Sequence, residues 1–127
     1  VAAYNHGANR IGVLVALNSA DETALEAGRS LAMQIAAMNP IAVDENAVSE
    51  EVKAKELKIG REIAEQEGKP EAMLDKIAQG KLQRFYKDNT LMHQAYVKDN
   101  SMTGAAYLKS VSADLNVKSF TRFQLGA

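Results

Sequence analysis

The sequence predicts an α+β fold, in which a three-stranded antiparallel sheet is covered by helices and interrupted by an inserted antiparallel helical hairpin. Three observations predict it. The run Ile11–Leu17 is rich in β-branched residues, and residues 117–125 mix apolar and polar side chains as a half-buried strand does. Between them lies a charge-rich stretch with apolar residues at helical spacing. Because two strands alone are marginally stable, we expect the last strand to pair with the first two.

The first two strands are expected near 1–5 and 11–17, and the third near 117–125. His6–Arg10 joins the first two, and its Gly7 and Asn9 tolerate the positive φ that a tight connection needs. The chain opens inside the first strand without an initiator Met, so we expect it to be a fragment of a longer protein.

Two helices are expected to cover the apolar face of the sheet. The first spans 21–38, with caps at Ser19–Asp21 and a stop at Asn39-Pro40, because proline disfavours helical backbone in the residue before it. The second spans about 103–112, where Ser101 or Thr103 can act as the cap.

The stretch from Val48 to Phe85 reads as two charged helices with narrow apolar faces, joined at Glu67–Pro70. We expect a coiled-coil hairpin, inserted at about 44–96, that projects from a body formed by 1–43 and 97–127. Gly60 and Gly80 weaken its helices. Residues 88–99 are expected to be irregular, and within them only Tyr96-Val97 has the character of an extended strand.

The composition excludes several classes of protein. The chain has 127 residues, 46% of them hydrophobic and 24% charged, with 15 basic against 16 acidic side chains and no cysteine. These values fit one globular domain, and they exclude a disulfide framework and thiolate chemistry. The charge balance argues against bulk nucleic-acid binding, and the longest apolar run, Val13–Leu17, is too short to span a membrane.

No catalytic residue, metal site or cofactor is predicted. The two histidines, His6 and His93, lie apart in the sequence and outside any zinc-binding pattern. The acidic residues concentrate on the helical hairpin among lysines and arginines, as on a solvated helix face. Phosphate-binding and nucleophile motifs are absent from the sequence, so a small hydrolase is disfavoured and the chain is not expected to be an enzyme.

Two segments leave a choice open. His6–Gly12 is either a polar turn whose glycines serve backbone geometry, or a partner-recognition loop on a rigid sheet. Residues 118–123 hold basic and aromatic side chains that resemble an RNA platform. However, Phe120 and Phe123 are three residues apart and therefore point to opposite faces of a strand, which disfavours that interpretation.

Several stretches together resemble the bacterial elongation factor Ts family, in that family's order. They are Tyr4–Val15, Leu31–Pro40, Glu67–Glu71, Gly80–Tyr86, Tyr96–Asp99 and Phe120–Gly126. Ala95 and Met102 depart from the pattern, standing where the family usually has proline and often has lysine. The resemblance covers essentially the whole chain. It implies that the chain corresponds to the C-terminal part of the family's core, together with the coiled-coil region. The family's N-terminal domain and the first half of its core are then expected to be absent.

The resemblance implies a cytoplasmic guanine-nucleotide exchange factor that promotes GDP release from elongation factor Tu. It places His6 in the docking surface, with Gly7 and Arg10 beside it and with Val97 and Lys98 as neighbours. It also implies a dimerisation surface on the hairpin, and hence a homodimer, without direct contacts to nucleic acid or membrane. The Asp-Phe element that the family inserts near the Mg²⁺ site is not in this chain. The alternative is a structural self-association module without independent exchange activity.

Overall fold

The computed structural model describes residues 1–7 and 10–125. Its main sheet has the strand order β1-β2-β5, with β1 at Ala2–His6, β2 at Ile11–Leu17 and β5 at Val117–Gln124. Both pairings are antiparallel: Ala2 lies opposite Val15, and Val15 opposite Phe120. The predicted three-stranded sheet and the α+β class are therefore confirmed.

Helix α1, Glu22–Met38, lies across the inner face of the sheet and begins and ends where its sequence predicts. The Asp21 carboxylate accepts a hydrogen bond of 2.8 Å from the Ala24 backbone N–H, which caps the first turn. Asn39 adopts the left-handed conformation at φ 47°, and its N–H donates to the Ile35 carbonyl. Proline then follows at position 40, so the helix stops.

The main core lies between α1 and the inner face of the sheet. A Cβ at Gly28 would lie 2.6 Å from the Ala2 Cβ and 2.7 Å from the Leu17 Cδ1, so the helix approaches the strands more closely there than any side chain permits. The buried apolar residues around this contact include Val13, Val15, Leu31, Ile35, Leu91 and Leu108.

Helix α4, Gly104–Val111, and a small two-stranded sheet complete the body. The small sheet pairs β3, Ala95–Tyr96, with β4, Asp99–Thr103. The extended conformation expected near Tyr96 is therefore confirmed, but the irregular segment is shorter than expected, because the helix before it continues to Asn89 and β4 begins at Asp99. Helix α4 packs on α1 and on this small sheet, and it supplies Leu108 to the main core. The main sheet is thus covered mainly by α1, and α4 packs on α1.

Strand β5 contains a β-bulge that was not predicted from the sequence. Leu17 lies opposite Val117 whereas Ala16 lies opposite Ser119, so Lys118 is an extra residue, as in a β-bulge. The bulge lets both Val117 and Phe120 face the core despite their spacing of three. Beyond it the side chains alternate regularly, and Phe123 is 59% exposed on the opposite face, as predicted for that pair.

The insertion consists of α2, Glu50–Gln66, and α3, Glu71–Asn89, which make their extensive contacts with each other. A short 3₁₀ turn, Glu45–Ala47, precedes α2. At the root, the Leu91 N–H donates to the Ala42 carbonyl and the Met92 N–H to the Val43 carbonyl, both at 2.9 Å. A separate small apolar cluster fills this root: Ala42, Val48, Leu82 and Tyr86.

Candidate partner-binding surface

Three of the predicted site residues lie in the turn between β1 and β2. His6 is half-buried, and its Nδ1 lies 3.1 Å from the Tyr4 hydroxyl. Gly7 has φ +61°, a conformation that favours glycine, and its carbonyl accepts from the Arg10 N–H at 3.2 Å. Ala8 and Asn9, including the predicted role of Asn9 in the turn, lie outside the described residues. The turn thus presents one imidazole and one guanidinium at an end of the sheet.

Strand β5 supports this turn from the other side of β2. The Leu125 N–H donates to the Arg10 carbonyl at 2.8 Å, and Gln124 lies opposite Ile11. The backbone of Arg10 is therefore fixed while its side chain is exposed. A charged side chain on a fixed backbone suits recognition of a protein surface.

The other two predicted residues, Val97 and Lys98, form the turn between β3 and β4. Val97 is 46% exposed. Its neighbour Tyr96 is buried and stacks on Tyr107, with ring centroids 4.3 Å apart and planes inclined by 13°. Burial raises the pKa of the Tyr96 hydroxyl above its ordinary value of 10.0.

The far side of the same turn is fixed by Asp99. Its Oδ1 accepts from the Ser101 hydroxyl at 2.6 Å and from the Ser101 N–H at 3.1 Å. The hydrogen bond from the Ser101 hydroxyl, followed by that from its N–H, lowers the pKa of the Asp99 carboxyl. The turn is therefore held on both sides, and two exposed side chains project from it.

The structure keeps the two turns as separate patches. Among the described residues, no hydrogen bond or ion pair joins His6 or Arg10 to Val97 or Lys98. Each patch adjoins an element that contacts α1: β1 packs on that helix, and the Lys98 Nζ lies 3.3 Å from the Ser30 Oγ.

Sequence reasoning missed Gln34, which lies on α1 beneath the second turn. It is fully buried, and its side-chain oxygen accepts from the Val97 N–H at 2.7 Å. A signal was present, because Gln34 is the polar exception between Leu31 and Ile35 on an otherwise apolar helix face.

The described residues hold no cluster of three or more His, Asp or Glu that could bind a metal. His93 pairs with Glu45 at the root of the hairpin, and Arg61 of α2 pairs with Asp75 and Glu71 of α3. Within residues 1–7 and 10–125, no helix combines the length and the apolar character needed to cross a membrane.

The family model described as Elongation factor TS matches residues 1–127. The chain belongs to the elongation factor Ts family.

Relatives named elongation factor Ts are similar along the whole chain. The one from Christiangramia forsetii is 51% identical over 99% of this chain, and that from Amoebophilus asiaticus is 52% identical over all of it. The more distant Aquifex aeolicus protein is 39% identical over 97%. The chain spans 46%, 46% and 43% of these three relatives, which is less than half of their length.

Three of the six stretches that resemble elongation factor Ts fall on the structural parts that form the two patches. Tyr4–Val15 covers most of β1 and β2 with the first turn, and Tyr96–Asp99 covers the second turn. Leu31–Pro40 includes the half of α1 that carries Gln34. These three stretches therefore contain the five predicted site residues and Gln34.

Proposed function

We propose that this chain is part of a guanine-nucleotide exchange factor for elongation factor Tu, and that it supplies docking and dimerisation. The observation that carries the proposal is the match of the elongation factor Ts family model over residues 1–127. Relatives of that name are about half identical to this chain over its entire length. The C-terminal core and the coiled-coil region are the part of the family that we assign to it.

The docking surface in this proposal consists of the two turns. His6, Gly7 and Arg10 form one contact, and Val97 and Lys98 form the other. A backbone that is already ordered loses little further conformational entropy on binding, which favours affinity.

Binding is tested by titrating the chain with nucleotide-free elongation factor Tu in a calorimeter. We expect saturable binding that weakens in the double variant Val97→Ala with Lys98→Ala. The control is Lys55→Ala on α2, which removes an exposed charge outside both turns. Equal affinity of the two variants would contradict the assignment of the second turn to docking.

Self-association is the second part of the proposal, and the hairpin is the surface that we assign to it. Ile59 and Ile63 are 37% and 39% exposed one turn apart on α2, and Met73 of α3 is 47% exposed. Acidic and basic residues are balanced along 50–89, so a second copy of the hairpin meets no net repulsion. The occupant that fits this apolar surface is therefore the same hairpin of another chain.

Light scattering tests the self-association. Ile63→Glu places a charge on the apolar surface and should shift the measured mass towards the monomer. Gln79→Glu adds the same charge near Arg61 and Asp75, beside a different cleft, and should leave the mass unchanged. A monomeric wild-type chain would exclude the homodimer, and with it the alternative function of a purely structural self-association module.

A further inference from the structure

Gln34 makes a polar interruption in the core under the second turn. Its exposed fraction is 0%, and its helix neighbours Leu31 and Ile35 are equally buried. Burial of an amide is unfavourable unless its polar atoms find hydrogen-bond partners. A leucine or methionine would fill this place without that requirement, so the partners of Gln34 indicate what the residue does.

The amide uses both of its ends, and its partners belong to one segment. Its Oε1 accepts from the Val97 N–H at 2.7 Å, while its Nε2 donates to the Ala95 carbonyl at 3.0 Å and lies 3.3 Å from the Gln94 Oε1. Val97 and Ala95 flank the buried Tyr96. A single side chain of α1 therefore holds the backbone on both sides of the residue that begins the turn.

Gln94 extends this support to the hairpin root. Its Nε2 donates to the Asp88 carbonyl at 3.0 Å, and its own carbonyl accepts from the Gly104 N–H at 3.1 Å. A Cβ at Gly104 would collide with the Leu91 carbonyl, so α4 also begins in close contact with this segment. The contacts of Gln34 are thus made to a segment that is itself fixed.

We propose that Gln34 is a positioning residue for partner docking, which holds the turn at Val97 and Lys98 in its binding conformation. The inference rests on the proposed docking function of that turn. Gln34 is buried and does not touch the partner. It acts by raising the fraction of chains whose turn is in the binding conformation. The apparent dissociation constant is inversely proportional to that fraction.

The test replaces Gln34 with Met, which is similar in length and cannot make the hydrogen bonds. The Val97 N–H and the Ala95 carbonyl then lose their partner, and the turn samples other conformations. If the competent fraction falls to about one tenth, affinity for nucleotide-free elongation factor Tu falls about tenfold. Gln34→Asn, which is too short to reach both atoms, serves as the second variant if the Met variant does not fold.

Thr90→Val is the matched control. The Thr90 hydroxyl is equally buried and donates to the Tyr86 carbonyl at 2.7 Å, away from the turn. Both variants remove buried hydrogen bonds, and their stabilities are compared by chemical denaturation. We expect weaker binding for Gln34→Met and unchanged affinity for Thr90→Val. Equal affinity of the two would overturn the proposal.

Two further measurements separate this inference from the proposed function. Hydrogen exchange of the Val97 amide, measured without any partner, should be at least about tenfold faster in Gln34→Met. Unchanged exchange would overturn the positioning role whatever the partner does. In the background of Val97→Ala with Lys98→Ala, adding Gln34→Met should weaken binding no further. If that background itself binds as tightly as wild type, the docking role of the turn fails, and the role of Gln34 in docking fails with it.

Discussion

At the scale of single residues, the exposed and the buried members of the candidate surface have different tasks. In the proposed docking surface, His6, Arg10, Val97 and Lys98 offer side chains to a partner, whereas Tyr96 and Gln34 lie beneath one of the turns and Gln34 binds its backbone. A substitution in the first group changes the contact itself. A substitution in the second group changes how often the contact surface is formed.

His6→Ala should weaken binding to elongation factor Tu while it leaves thermal stability nearly unchanged. The imidazole is half-buried and its recorded hydrogen-bond partner is the Tyr4 hydroxyl, so its removal opens no large cavity. We expect a change of at most about 0.5 kcal/mol in unfolding free energy, as for most surface substitutions. Calorimetric titration and a thermal melt measure the two quantities.

Tyr4→Phe is the control for that prediction. It removes the hydroxyl partner of His6 and keeps the ring, whose centroid lies 5.8 Å from that of the imidazole. Unchanged binding for Tyr4→Phe and weaker binding for His6→Ala would assign the effect to the imidazole. A lower melting temperature with unaltered binding in His6→Ala would instead return His6 to a structural role in the turn.

The resemblance and the physical patterns located different residues of the candidate surface. The turn at His6 is visible in the pattern, because glycine and polar residues separate two extended runs. Val97 and Lys98 came from the resemblance alone, since a two-residue strand such as Ala95–Tyr96 has no alternation to detect. Neither assigned a role to Gln34, although it lies in the Leu31–Pro40 stretch and interrupts an apolar helix face, because its hydrogen-bond partners lie about 60 residues later in the chain.

At the scale of elements, the helix boundaries marked by capping residues were predictable from the sequence. The β-bulge and the close contact between helix and strands were not. Asp21 and Asn39 act locally, so the limits of α1 could be read within a few residues. The extra residue at Lys118 depends on the register between β2 and β5, which no single stretch of sequence specifies. The contact of α1 with Ala2 and Leu17 likewise needs all three elements together.

The two glycines inside the helices of the hairpin, Gly60 and Gly80, should respond differently to alanine. A Cβ at Gly80 meets no atom within 4 Å, so Gly80→Ala should stabilise α3 by up to about 1 kcal/mol through helix propensity. A Cβ at Gly60 would lie 3.3 Å from the Ala78 Cα, where the two helices are closest. Gly60→Ala should therefore gain less stability than Gly80→Ala, or should lose stability.

Urea unfolding followed by helical circular dichroism compares these two variants. We expect a higher free energy of unfolding for Gly80→Ala than for wild type, and a lower one for Gly60→Ala than for Gly80→Ala. The pair controls for propensity, because both changes are the same and both positions lie inside helices of similar length. Equal gains at the two sites would show that α2 and α3 do not pack tightly at Gly60.

At the scale of the whole molecule, the hairpin should be removable. Its helices pack on each other, and the main-chain bonds of Ala42 and Val43 to Leu91 and Met92 already bring the two ends of the insertion together. Deleting residues 46–86 and bridging the ends with a short flexible linker should leave a body that unfolds cooperatively, since closing a short loop between anchored ends is inexpensive. Thermal unfolding monitored by circular dichroism is the measurement. Loss of a cooperative transition would place the hairpin within the main core.

The last prediction concerns exchange activity. This chain alone should fail to accelerate GDP release from elongation factor Tu, even where it binds. A ligand shifts an equilibrium only by its difference in affinity for the two states. In our proposal, docking residues such as His6 add affinity without selecting the empty pocket. In the family that selection is assigned to an Asp-Phe element, and no aspartate in this sequence is followed by phenylalanine.

Two of the three phenylalanines contribute to packing. Phe85 packs at the hairpin root and Phe120 against the main core, while Phe123 lies exposed on the outer face of the sheet. Stopped-flow release of a fluorescent GDP, with the chain in excess and binding verified in the same preparation, measures the activity. A release rate close to that given by a full-length relative would mean that the exchange machinery lies within these residues. Phe123→Ala would then be the first variant to examine, because Phe123 is the one exposed phenylalanine of the three and its ring is free to enter a partner.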